Sequence, residues 1–295
     1  MTNPVVEQVD VLAPLSRPLQ AIADAVADEC RRAVGRVGVA YSGGVDSAVL
    51  AALTARSIGA DDTVLLMAVS PSLARRERTM AHRQASQLGI RLVEVETKEV
   101  DNPDYAANPV DRCYFCKDEM FARFEDGVID ELGLAAVAYG ENADDAKRPD
   151  RPGARAAHEH AILRPLATAG ATKADVRAIA KELGLPSADK PAAPCLASRI
   201  PHGEEVTAEK LEQVDRAEDA VFAAGFSDCR VRHHGDIARI EIPSDEFELI
   251  ADDARRNELL AAVRAAGFKH AVLDLAGIQS GAFTLQILSA RPGVA

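Results

Sequence analysis

The sequence predicts an α/β protein with a parallel sheet, followed by a smaller C-terminal α+β domain. Three observations carry that expectation. Short apolar strands alternate with amphipathic helical segments through the first half of the chain, the pattern of parallel crossovers. A Gly- and Ser-rich loop lies directly between the first strand and the helix after it. Beyond Gly203 the texture changes to helix, two strands, helix and strand, so the expected division is 1–203 and 204–295.

Taken in order, residues 17–34 show helical spacing and residues 37–41 read as a short buried strand. A helix is expected from Val45 to Ser57, a strand over 63–69, and a helix from Leu73 to Leu88 that stops at Gly89. Residues 91–96 alternate as a third strand. Asn108-Pro109 resembles a helix cap followed by Pro at the first helical position, with the helix running to Leu132. Residues 135–139 form a fourth strand. Residues 146–170, rich in Arg, Pro, Gly and Ala, read as a long loop. A helix over 173–183 and a Pro-rich turn over 186–201 follow. Then come a helix over 208–224, strands near 228–232 and 236–242, a helix over 245–265 and a strand over 270–275.

Composition narrows the function. Hydrophobic residues make up 47% and charged residues 27% of the 295, an ordinary globular balance. Aromatics are 4% and Trp is absent, so Ala, Val, Leu and Ile must build the core. A net charge of −12 disfavours a non-specific nucleic-acid or anionic-membrane binder, though clustered Arg can still hold a small anion. No apolar run approaches the ~20 residues of a membrane span. The first residues lack a basic-then-apolar signal pattern, so a cytoplasmic protein is expected. Five Cys in a chain of this length do not make a secreted disulfide framework; clustered Cys in a reducing compartment point to metal or catalysis.

Ser42-Gly43-Gly44-Val45-Asp46-Ser47 is the phosphate-loop candidate. Its glycines allow a tight turn, the helix N-terminus after it presents N–H groups to an anion, and Ser42 and Ser47 add hydroxyls. Asp46 is placed to help hold Mg²⁺. The loop lacks the Lys of a Walker A motif. This segment resembles the pyrophosphate (PP) loop of the N-type ATP pyrophosphatases, which include GMP, NAD and argininosuccinate synthetases and tRNA-thiolating enzymes. The resemblance implies that ATP is split to AMP and pyrophosphate while a substrate oxygen is adenylated. Gly140-Glu141-Asn142-Ala143-Asp144-Asp145, after the fourth strand, resembles a second element of that family. It places Asn142, Asp144 and Asp145 near ATP and Mg²⁺.

Three cysteines stand out. Cys113 and Cys116 lie at i and i+3 near a helix start, which favours thiolate, and Cys195 follows Pro194 in the Pro-rich turn. Three thiolates fit an iron–sulfur cluster with one open iron; zinc with a fourth His and a dithiol redox pair are the other readings. Cys30 and Cys229 read as buried small hydrophobes. His158, His160 and the His233-His234 pair read as turn residues rather than metal ligands.

The run from Asp189 to Gly203, with Cys195-Leu196-Ala197-Ser198-Arg199-Ile200-Pro201 at its centre, resembles the LarE family of ATP-dependent sulfur transferases. Asp111 to Lys117, Arg151-Pro152-Gly153 and Arg230 to Glu241 are similar to it as well, so the likeness spans most of the chain. It implies a substrate, pyridinium-3,5-biscarboxylic acid mononucleotide, whose carboxylates are adenylated and converted to thiocarboxylates for a nickel-pincer cofactor. It implies two possible sulfur sources. Either Cys195 gives up its own sulfur, or Cys113, Cys116 and Cys195 hold a [4Fe–4S] cluster that carries sulfide. With all three Cys present, the cluster branch fits better. Arg199, Arg230 and Arg232 would hold the phosphorylated substrate by paired hydrogen bonds, with Glu218 and Glu241 tuning the pocket. A homo-oligomer, as large as a hexamer, is the implied assembly. The chain departs from the family's usual residues at Ala188, at His202 and at Gln279. A tRNA thiolase, an amide-forming adenylating synthetase and an ATP-sensing module are the competing functions.

Overall fold

A computed structural model describes residues 8–147, 152–191 and 193–278 of the chain. The elements are, in order, α1 (Arg17–Arg32), β1 (Arg36–Ala40), α2 (Val45–Ile58), β2 (Thr63–Val69), α3 (Arg75–Leu88) and β3 (Arg91–Glu96). Then come α4 (Pro103–Ala106), α5 (Arg112–Arg123), α6 (Ile129–Leu132), β4 (Leu134–Tyr139), α7 (Ala143–Ala146), α8 (Pro152–Glu159), α9 (Pro165–Thr168) and α10 (Lys173–Glu182). The remainder is α11 (Ala208–Ala223), β5 (Arg230–His234), β6 (Ile237–Glu241), α12 (Asp253–Ala265) and β7 (His270–Leu273). Two compact units result: residues 1–70, 75–99 and 113–193 form the first, and residues 71–74, 100–112 and 194–295 the second.

In the first unit, four parallel strands lie in the order β3-β2-β1-β4. The chain winds outward from β1 to β3 and then crosses to the other side of β1. The strand order therefore reverses between β1 and β4, and the segments leaving those two strands lie beside each other at the C-terminal edge. Open parallel sheets bind ligands at such a point. Strands β1, β2 and β4 are short and mostly apolar, as strands covered on both faces are, whereas the edge strand β3 alternates with Arg91, Glu94 and Glu96 and buries only Val95. Helix α2 is buried at every position from Ser47 to Ala55, as a helix with neighbours on several sides must be; α1 and α10 pack on it. On the sheet's other side, Phe121, Phe124, Leu134 and Val137 join Leu66 and Val95 in a core that also takes in Ala156 and Ala157 of α8.

The second unit carries a three-stranded sheet, β5-β6-β7, with an antiparallel first pair and a parallel second pair. Helix α11 buries Leu211, Val214, Ala217, Glu218 and Val221, the i, i+3, i+4 stripe, and packs on β5 and α12.

Three expectations need correction. The helix expected from Pro109 starts at Arg112, because Asn108 takes a left-handed backbone (φ 54°) instead of capping. It breaks at Asp126–Gly127, where Gly127 has φ 91°. The stretch 146–170 is not a single loop: α8 and α9 lie in it, and Ala156 and Ala157 of α8 are fully buried. The helix expected over 245–265 is a 3-10 segment, Ser244–Ala251, followed by α12, whose start is capped by the Asp252 side chain.

Candidate active site

The phosphate loop leaves β1 and enters α2. Ser47 knits it together: its Oγ accepts from the Ser42 amide (3.2 Å) and donates to the Gly44 carbonyl (3.0 Å). Gly43 has φ 70°, and a Cβ there would lie 3.0 Å from Ala81 of α3. The loop is therefore pinned by packing on one side, with Ser42 exposed on the other. The α2 N-terminus has no side-chain cap among the described residues, which leaves its leading amides to a ligand.

The segment after β4 closes on the same point. A Cβ on Gly140 would sit 3.0 Å from the Ser47 amide nitrogen, so only Gly lets β4 end there. Asn142 is buried; its Oδ1 accepts from the Asp144 and Asp145 amides (both 3.0 Å), capping α7. Its Nδ2 donates to Asp46 Oδ1 (3.0 Å) and to Asp145 Oδ2 (3.0 Å). Asp46, Asn142, Asp144 and Asp145 thus belong to one network in this unit.

The sequence reading missed a cation in that network. Lys173 Nζ pairs with Asp46 Oδ2, while the Lys173 amide donates to Asp144 Oδ2 (2.8 Å). A Lys at the first position of a helix opposes the helix dipole. That mismatch in Thr172-Lys173-Ala174-Asp175 was the available signal for a job other than helix formation. Thr172 and Asp175 hold the helix start by a capping box.

Asp46 and Asp145 are half-buried and Asp144 is exposed, all hard oxygen donors. Mg²⁺ is usually held by one or two carboxylates plus the phosphates of its nucleotide. These residues fit that use. Among the described residues, no group of three or more His, Cys, Asp or Glu is gathered to hold a metal by itself.

Cys113 and Cys116 belong to the first unit, on the first turns of α5; Cys113 is exposed and Cys116 half-buried. Cys195 is exposed, in the second unit, and precedes a 3-10 turn at Leu196–Arg199. The three thiols fall in different units, and among the described residues no group of three or more metal-ligating side chains that includes them is gathered. Cys30 and Cys229 differ from them. Both are fully buried, and burial pushes their thiols above the ordinary value, Cys229 well above it.

The turn that carries Cys195 is held by guanidinium groups. Arg199 is 4% exposed; it pairs with Glu218 through Nε (2.8 Å) and Nη2 (3.1 Å). Its Nη1 donates to the carbonyls of Pro194 (2.7 Å) and Cys195 (3.3 Å) and to Ser198 Oγ (2.9 Å). Burial works against the Arg199 charge, but Glu218 outweighs it and raises the guanidinium pKa. Glu218 also accepts from the Val231 amide (2.9 Å), tying β5 to α11. Arg232 pairs with Glu241 by two bonds (3.0 and 2.9 Å) and donates to the Ser198 carbonyl (2.9 Å). Arg230 is buried as well and meets Asp228 (2.7 Å).

Of the positions where the chain departs from family habit, Ala188 is buried and gives its carbonyl to Arg177 (2.8 Å). His202 Nδ1 lies 3.4 Å from the Asn108 carbonyl. Gln279 and Arg151 lie outside the described residues. His233 is on β5, not in a turn, and its Nε2 meets Gln213 (3.2 Å). No helix among the described residues is long and apolar enough to cross a membrane.

The asparagine synthase family profile matches residues 19–125, the stretch with the phosphate loop and Cys113 and Cys116. An uncharacterized protein of Synechocystis sp. is 44% identical over 83% of this chain and 91% of its own length. GMP synthase [glutamine-hydrolyzing] of Dehalococcoides mccartyi is 30% identical over 68% of this chain, which spans 40% of that protein. Pyridinium-3,5-bisthiocarboxylic acid mononucleotide synthase of Lactiplantibacillus plantarum is 33% identical over 83% of this chain and 88% of its own length. With the phosphate loop, the carboxylates beside it and the Cys195 turn all in place, the chain belongs to the LarE family of PP-loop enzymes and is an ATP-dependent, adenylating sulfur transferase.

Proposed function

We propose that the chain converts the carboxylates of pyridinium-3,5-biscarboxylic acid mononucleotide to thiocarboxylates, for assembly of a nickel-pincer cofactor. The observation that carries this reading is one chain holding both an adenylation loop and an exposed Cys on a turn braced by Arg, at 33% identity to the plantarum synthase.

The first unit activates. Backbone amides at the start of α2, with Ser42, Gly43, Gly44 and Ser47, cradle the pyrophosphate of ATP. Asp46, Asp144 and Asp145 hold Mg²⁺, and Asn142 keeps Asp46 oriented. With Asp46 committed to the metal, Lys173, which pairs with Asp46 here, would be free to hold a phosphate oxygen. A substrate carboxylate oxygen attacks the α-phosphorus and pyrophosphate leaves, giving an acyl-adenylate. A carboxylate is a poor electrophile; AMP is a leaving group it otherwise lacks.

Cys195 stands at the point of sulfur delivery, and the second unit holds the substrate. An anionic sulfur adds to the activated carbonyl, AMP departs, and a thiocarboxylate results. Cys113, Cys116 and Cys195 would ligate a [4Fe–4S] cluster, which supplies sulfide at its open iron when bound. In the alternative, the Cys195 thiolate displaces AMP to form a thioester; loss of the Cys195 α-proton to a base then breaks its Cβ–S bond, releasing the thiocarboxylate and leaving dehydroalanine. Arg230 and Arg232, with the field of buried Arg199, favour a dianionic phosphorylated substrate, and Glu218 and Glu241 fix their directions. The enzyme works in the cytoplasm as a homo-oligomer, without nucleic acid, and residues 204–295 serve substrate binding and assembly.

The test is iron and acid-labile sulfide per chain after anaerobic purification, with thiocarboxylate formation assayed on the same sample. About four irons per chain with multiple turnovers supports the cluster. Thiocarboxylate with no iron, limited to one sulfur per chain, assigns the sulfur to Cys195. No thiocarboxylate with either preparation overturns the substrate.

A further inference from the structure

Arg112 is a buried cation that the reaction described above does not use. It is 5% exposed, yet no carboxylate pairs with it among the described residues. Its Nη1 donates to Asn108 Oδ1 and to the Ala197 carbonyl (2.9 Å), and its guanidinium lies 6.0 Å from the Tyr105 ring centre. Burying a charge without a counter-charge is costly, so its neutral acceptors must be worth holding.

Those acceptors define one object. Ala197 is two residues beyond Cys195. Asn108, fully buried, donates through Nδ2 to the carbonyls of Ile200 (3.3 Å) and Pro201 (2.7 Å). The Asn108 carbonyl accepts from the Gly203 amide (3.1 Å), and the Ser72 carbonyl accepts from the Leu196 amide (3.0 Å). The φ of 54° at Asn108 points both its backbone and its side chain at the turn; Asn tolerates that region better than most residues. Arg112, Asn108, Arg199 and Arg232 together take up the carbonyls of residues 194, 195, 197, 198, 200 and 201. A 3-10 turn of four residues cannot hold itself with such completeness.

We propose that Arg112, with Asn108 as its arm, is a positioning residue for the Cys195 turn: it fixes the direction in which Cys195 is presented to the adenylated substrate and takes no part in adenylation. The proposal rests on the sulfur-transfer reading above, but its test separates the two.

The experiment compares wild type with Arg112→Gln and Arg112→Lys on full-length protein. It measures amide hydrogen exchange by mass spectrometry, ATP–pyrophosphate exchange with the pyridinium substrate, and single-turnover thiocarboxylate formation. In Arg112→Gln, exchange of peptides covering 194–203 should speed up by about 10–100-fold, the equivalent of losing hydrogen bonds from a charged donor. Peptides covering the phosphate loop should be unchanged. ATP–pyrophosphate exchange should stay within about twofold while sulfur transfer falls by about 10–100-fold. Arg112→Lys, which keeps a charged donor, should recover part of both losses. Unchanged exchange over 194–203, or adenylation and sulfur transfer falling in parallel, overturns the proposal. If wild type makes no thiocarboxylate, the substrate reading fails and the exchange data still decide on Arg112.

Discussion

The phosphate loop and the Cys195 turn are both short segments that present reactive groups, but they are held in opposite ways. The loop's backbone is closed by its own residues: Ser47 bonds Ser42 and Gly44 within six positions. Ala81 packs on Gly43, and Asn142 and Lys173 reach only the Asp46 side chain. The turn has local bonds too, from Arg199 and the Ser198 amide, but it also depends on distant groups: Arg112 reaches Ala197 across 85 positions and Arg232 reaches Ser198 across 34. A self-held loop can form wherever a strand meets a helix. An externally held turn exists only when its whole unit is folded. Adenylation should therefore tolerate damage that sulfur transfer does not.

The largest expected effect lies on the turn side. Glu218→Gln leaves Arg199 buried without its counter-charge and with one acceptor oxygen to share with the Val231 amide, so stability should fall by about 3–5 kcal/mol. A denaturant titration followed by probes in each unit would check it. A loss under about 1 kcal/mol would mean that the Arg199–Glu218 pair does not organise the second unit.

On the loop side, Asp46→Asn should spare the fold and slow pyrophosphate formation by about 100-fold or more, since it removes charge from the proposed Mg²⁺ site. An unchanged melting temperature with that loss is the expected pair of results. Gly43→Ala is smaller. The left-handed φ of 70° and the 3.0 Å approach of Ala81 should together cost about 1–2 kcal/mol, read as a lower melting temperature and weaker ATP binding.

The smallest effect is a control on the first unit outside the loop. His160 meets Asp118 (3.0 Å) and Glu125 (2.9 Å). Burial works to lower its pKa, but the two carboxylates outweigh burial and raise it. A raised folded value means stability present in full below the ordinary pKa of about 6.5 and lost as pH rises through the folded value. His160→Gln should therefore melt below wild type at pH 6 and converge with it at pH 9. A gap that widens toward pH 9 would reverse the assignment.

The same contrast explains how much of the molecule was legible in the sequence. The α/β class, the four parallel strands and the phosphate loop depend on periodicity and local turn chemistry, and residues 37–41 and 42–47 display both. Helix α8 was hidden because Arg, Pro and Gly around it masked an Ala face whose burial is tertiary. Asn108 beside Pro109 has the chemistry of a helix cap; only the carbonyls of Ile200 and Pro201, 92 and 93 positions away, explain its left-handed backbone. Lys173 left a local trace, a cation where a helix start prefers an anion. Arg112 left none, since a guanidinium bound to a distant carbonyl reads in sequence as any surface Arg.

Adenylation at the phosphate loop and sulfur delivery at Cys195 are proposed to be separable duties of the chain. The direct measurement is Cys195→Ala assayed for AMP and for thiocarboxylate on the same pyridinium substrate. The account predicts AMP formation near the wild-type rate and no thiocarboxylate. Thiocarboxylate at the wild-type rate would contradict it, because the sulfur would then reach the adenylate without Cys195.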